Sequence, residues 1–143
     1  MIRFGPAGFG MPPLEGLKHT KELGLTAAEV EFTYGVRMNN KTAQDVGEEA
    51  KKLGIALSVH APYYINLATD DKKKLANSYR NILLSCERAH FMKANPVVFH
   101  AAFYGKLSKE ECYQIVKKRI EELQDKIKKN GWKVKLRIKF KHF

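Results

Sequence analysis

The sequence predicts an α/β fold of parallel strands joined by helical crossovers. Two observations predict it. A short β-prone run, a turn and a helical pattern follow one another four times along the chain, and repeated units of this length favour parallel strands with right-handed connections. In addition, the units upstream of the last run read together as a parallel fold, whose strands are buried on both faces.

The first unit opens with "IRFGPAG" and continues into a short amphipathic helix on Leu14, Leu17 and Leu23, closed by Gly24. "AEVEFTY" begins the second, with "NKTAQDVGEEAKKLG" as its helix. "IALSVHAPY" begins the third, and a long helical stretch from Asp70 to Met92 places Leu75, Tyr79, Ile82, Leu83 and Cys86 on one face. "PVVFHAAFYG" begins the fourth. Its helix starts at Ser108, which with Glu111 has capping-box spacing, passes through Cys112, Ile115, Val116, Ile120, Leu123 and Ile127, and ends at Asn130 and Gly131.

The chain then closes on "KVKLRIKFKHF", in which Lys133, Lys135, Arg137, Lys139 and Lys141 occupy every second position. That is the period of a strand with one wet and one dry face. Buried on both faces, each uncompensated ammonium would cost several kcal/mol. The stretch is therefore expected either as a replaced tail, read in an altered frame after about Leu136, or as a strand at an open sheet edge with its basic face in water. Four units and a partial fifth strand fit an open doubly wound sheet or half of an eight-unit barrel, and periodicity does not separate the two.

With 143 residues, 44% hydrophobic and 29% charged, the chain is long enough for one domain with a sizeable core, here residues 1–143 with an atypical basic tail at 133–143. A complete barrel needs about 250 residues. No apolar run approaches the roughly 20 residues of a membrane span, and the start has no signal architecture, so the expected location is the cytoplasm. Cys86 and Cys112 lack metal-ligand spacing and are expected as buried reduced thiols. The net charge of +11 is uneven: residues 1–105 carry 13 Lys/Arg against 10 Asp/Glu, whereas residues 106–143 carry 13 against 5. Such a basic surface attracts polyanions, nucleic acid among them, at low salt.

His60 and His100 are the leading candidates for chemistry. Each ends a β-run, "ALSVH" and "PVVFH", and each is followed by Ala. Adjacent parallel strands lie about 4.8 Å apart, so histidines at matched strand ends could face one metal cluster. Either alone would more often be a hydrogen-bonded residue at the core edge. Tyr63 and Tyr64 follow on a loop stiffened by Pro62, where aromatic rings can stack on bases or simply cap the core. Arg37 is a phosphate-contact candidate or a solvated loop charge. Glu29 and Glu31 share a face of the second strand, and Glu31, nearer its end, could reach a metal or a basic group in a pocket.

"MIRFGPAG", "SVHAPYYINLA" and "VVFHAAFYG" together resemble the endonuclease IV family of apurinic/apyrimidinic endonucleases, archaeal members in particular, within the xylose-isomerase-like barrels that also include sugar isomerases and epimerases. The resemblance covers residues 1 to about 105. It implies a truncated TIM barrel and a zinc cluster at the carboxyl end of the strands, with His60 and His100 as two ligands. It also implies cleavage of DNA at abasic sites, with Tyr63 and Arg37 in contact with the distorted DNA.

The family's fifth strand ends in a glutamate that bridges two metals; here the matching stretch reads Leu136, Arg137, Ile138, Lys139, Phe140. A lysine there would repel zinc. The expectation is therefore an incomplete zinc site and little or no nuclease activity for this chain alone. Its apolar inner face is expected to be open, to be completed by a second copy or a complementing second half. The competing classes are a non-catalytic basic nucleic-acid-binding fragment and a sugar isomerase or epimerase relative.

Overall fold

The computed structural model describes residues 1–139; Phe140, Lys141, His142 and Phe143, the end of the basic stretch, lie outside the described residues. The elements are α1 (Pro13–Glu22), β1 (Ala27–Glu31), α2 (Asn40–Leu53), β2 (Ala56–His60), α3 (Lys72–Met92), β3 (Val97–Phe99), α4 (Lys109–Lys129) and β4 (Leu136–Ile138). The strands form one sheet in the order β1-β2-β3-β4, and every neighbouring pair is parallel. Four parallel strands alternate with four helices in an α/β arrangement.

The helix boundaries follow local chemistry. Asn39 caps α2 by accepting from Thr42 N at 2.8 Å, and Asp71 caps α3 by accepting from Lys73 N and Lys74 N. At α4 the capping box is complete: Ser108 accepts from Glu111 N, and the Glu111 carboxylate accepts from Ser108 N. Gly54 closes α2 at φ +72°, a left-handed conformation that glycine adopts without steric cost.

Two expectations are corrected at the start of the chain. "IRFGPAG" forms no regular strand. It runs parallel to β1 with a single bridge, Ala7 to Glu29, and with Gly8 N and Glu29 N donating to Glu29 O and Pro6 O. Pro6 has no N–H, so the ladder cannot extend through it. At Gly5 the backbone lies so close to β1 that a Cβ would sit 1.6 Å from Ala27 O. In α1, only Leu17 of the three leucines is buried, while Leu14 and Leu23 are exposed. The inward stripe of this ten-residue helix is Gly16, Leu17 and Thr20, and Leu23 already lies at its C-cap.

The core lies between the outer face of the sheet and the helices. Val30, Val59, Val97 and Phe99 meet Leu17, Val46, Ile82, Cys86, Leu123 and Ile127 there. Burial of each large side chain contributes about 1.5–3 kcal/mol. Burial also pushes the Cys86 thiol up to about 12, and it raises that of Cys112.

The inner face is not the apolar surface expected. Register places Glu31, His60, Val98 and Arg137 in one row across the sheet, with Glu29 and Ser58 in the row below. Ser58 donates to the Glu29 carboxylate at 3.3 Å. This face therefore runs from carboxylates at β1 to a guanidinium at β4.

The described part of the basic stretch has the structure of an edge strand, an outcome that both expected origins share. Trp132, Val134 and Leu136 pack against the core, alternating with exposed Lys133, Lys135 and Arg137. Asn95, before the cis Asn95–Pro96 bond, holds this edge: its N donates to Leu57 O at 2.9 Å, and its Oδ1 accepts from Lys135 N at 3.0 Å.

Candidate functional site

His60 is the last residue of β2 and is 3% exposed. Its Nδ1 lies 2.8 Å from Ala61 O. A carbonyl can only accept, so Nδ1 carries the proton and Nε2 presents a lone pair. Among the described residues Nε2 is buried and has no hydrogen-bond partner. Such an orientation, one ring nitrogen committed to a backbone carbonyl and the other free to accept, is that of a metal-ligating or proton-accepting histidine.

His100 follows β3. The register partner of His60 is Val98, so His100 stands two residues further along its strand. The rings nevertheless meet, with centroids 5.3 Å apart and planes tilted by 52°. Tyr63 completes the group, 5.5 Å from His60 and 6.1 Å from His100. The three rings predicted from the strand ends are thus brought together at the carboxyl end of the sheet.

The loop that carries Tyr63 is tightly held. Pro62, Ile65 and Leu67 are fully buried, while Tyr63 is 41% and Tyr64 70% exposed, so neither tyrosine caps the core. Ala61 N donates to Val98 O at 2.8 Å and Leu67 N to Ala101 O at 2.7 Å. Ser78 of α3 accepts from Asn66 N at 3.0 Å. From α4, Arg119 donates to Leu67 O and to Thr69 O. Arg119, Ser78 and Asn66 position the site, and no local pattern in the sequence distinguishes them from ordinary helix and loop residues.

Arg37 and Glu31 share a cleft, although Glu31 is also the register partner of His60. Both line a cleft of about 740 Å³ beside β1, together with Phe9, Met11, Thr33 and Asn39, and His60 is not among its walls. Glu31 lies over Gly8, where an added Cβ would be 3.0 Å from its Oε2. Glu31 is therefore a pocket carboxylate on the strand next to His60, its register partner. Lys139, at the position expected of the bridging carboxylate, is exposed and donates its backbone N–H to Phe99 O at 2.9 Å. Among the described residues no group of three His, Cys, Asp or Glu side chains could hold a metal ion. Within this chain His60 fits such an ion as one donor of a set that the described residues do not complete.

Residues 17–138 match the family described as xylose isomerase-like TIM barrel. The chain belongs to that family. An uncharacterized protein of Methanocaldococcus jannaschii is 34% identical over 142 residues, which are 96% of this chain and 50% of that protein. Among solved structures of the family's fold, a D-tagatose 3-epimerase-like protein superposes with a TM-score of 0.74 at 18% identity, over 94% of this chain and 52% of the other. Endonuclease IV from Thermus thermophilus superposes at 0.62 with 17% identity, over 86% and 48%. These likenesses show the fold. The chain spans about half the length of the relatives it matches. No helix among the described residues is long and apolar enough to cross a membrane.

Proposed function

We propose that this chain carries part of the metal site of a DNA-repair endonuclease of the endonuclease IV type, and that alone it binds nucleic acid with little or no cleavage of abasic DNA. The observation that carries this reading is His60, whose Nδ1 is committed to Ala61 O while its buried Nε2 has no hydrogen-bond partner among the described residues. His60 and His100 would hold a zinc-type cation. When bound, such an ion supplies Lewis acidity toward a phosphodiester.

The chain's own residues do the rest. The Ala61 carbonyl fixes the His60 tautomer, and Arg119 holds the loop on which exposed Tyr63 and Tyr64 offer ring faces to unstacked DNA. Exposed Arg37 suits a phosphate of the same strand. Lys139 in place of a carboxylate and the incomplete donor set support the lack of cleavage. A second copy or a complementing polypeptide would supply the missing ligands, and the cytoplasm is the compartment that suits DNA repair.

The test is zinc analysis of the pure protein beside incision of an abasic duplex. Bound zinc that is lost in His60→Ala, without incision, is the expected result. Chelator-sensitive incision by the chain alone, abolished by His60→Ala, would overturn the proposed inactivity, and absence of any zinc binding would overturn the site.

The cleft beside Glu31 favours one other reading. Its volume of about 740 Å³ and its mixed apolar and charged walls suit a small polyol, the substrate class of a sugar isomerase or epimerase. Saturable binding of ketohexoses that Glu31→Gln removes would favour that alternative.

A further inference from the structure

The open face of the sheet ends at β4 in a line of cations that the ring cluster does not use. Lys133, Lys135, Arg137 and Lys139 are all exposed and alternate with the core-facing Trp132, Val134 and Leu136. Alternate residues of an extended chain lie about 6.6 Å apart, and the four charges follow one another along and beside β4. The track is fixed in place: Asn95 Oδ1 accepts from Lys135 N, Lys135 O accepts from Val97 N at 2.9 Å, and Lys139 N donates to Phe99 O at 2.9 Å. The four ion pairs of the described residues involve none of these cations.

Two further features give the track a direction and a partner class. Across the sheet the charge reverses, with Glu29 and Glu31 on the same face at β1, so this face is most cationic on the β3–β4 side. At the carboxyl end, the loop after β3 presents Phe103 at 46% and Tyr104 at 50% exposure. Exposed rings on the loop after β3 and a line of cations on the next strand supply the two components of sequence-tolerant single-strand recognition, ring faces for bases and charges for the backbone. An acidic polypeptide would use the charges but has no need of the rings.

We infer that β4 is a binding track for single-stranded nucleic acid, with Lys133, Lys135, Arg137 and Lys139 along the phosphates and Phe103 and Tyr104 against bases. This track is separate from the metal site and does not require it. Binding is therefore measured with chelator present, so that failure here leaves the zinc reading untouched and the reverse also holds.

The experiment is fluorescence anisotropy with a short labelled oligothymidylate over a series of salt concentrations. In the variant carrying Lys135→Gln and Arg137→Gln, affinity at low salt falls about tenfold and the slope of log K against log salt flattens by about 1.4, the contribution of two single-strand phosphate contacts. A control variant, Lys21→Gln with Lys51→Gln on the ends of α1 and α2, keeps the wild-type values. The pair Phe103→Leu and Tyr104→Leu weakens oligothymidylate binding without changing competition by inorganic polyphosphate. Three outcomes would overturn the inference: no binding at low salt, equal losses in track and control variants, or displacement by polyglutamate as readily as by unlabelled oligothymidylate. The last would assign the track to an acidic protein.

Discussion

His60 and His100 sit on neighbouring parallel strands two residues out of register, yet their ring centroids are 5.3 Å apart. Two imidazoles at this separation can share an ion, and the free accepting nitrogen of His60 suits it to that task. Zinc affinity, read by competition with a chelating dye, should fall about tenfold or more in His60→Ala. His19→Ala, at an exposed position on α1, should leave it unchanged.

Arg119 reaches from α4 to the carbonyls of Leu67 and Thr69. Removing it leaves two part-buried carbonyls without their charged donor, at a cost of about 1.5–3 kcal/mol. Arg119→Ala should speed amide hydrogen exchange at Leu67 more than at Val59, which stays paired in β2. Equal acceleration at both sites would show global rather than local loosening.

The capping box at α4 gives a pH-dependent prediction. The hydrogen bonds from Ser108 hold the Glu111 carboxyl below its ordinary value. A group whose folded pKa is lowered contributes stability that is fully present above its unfolded pKa and is lost as pH falls through the folded value. Ser108→Ala should cost about 1 kcal/mol at neutral pH. The difference between the two proteins in thermal melts should shrink on acidification below the ordinary carboxylate range.

Phe99 is fully buried between β3 and the helices. Its replacement by alanine should destabilise the chain by about 3–5 kcal/mol, read from urea unfolding. Cys86, whose thiol is pushed up to about 12 by burial, should resist thiol reagents until the same unfolding transition exposes it.

Much of this architecture is legible in the sequence because it is written in local signals. Ser108 caps α4 through the box that its spacing with Glu111 announces, and the apolar face of α4 follows its period. His60, His100 and Tyr63 converge because strand ends in a parallel sheet share one edge. The departures arise where long-range contacts decide. Pro6, which has no N–H, denies the first segment a regular ladder, and the close approach of Gly5 to Ala27 is a long-range contact that β-propensity does not report. Likewise Arg37 falls in a cleft beside β1, a placement set by the path of the chain after that strand, while Glu31 lines the same cleft and is the register partner of His60.

Asn95 ties three strands at one point, bonded to Leu57 before the centre of β2 and to Lys135 at the start of β4. Under a force applied at Lys139, β4 would part from β3 one rung at a time, first at Phe99 and then at Val97. The Asn95 side chain is the last link in that sequence. Mechanically, the edge behaves as a zipper with its stop at the amino-terminal end.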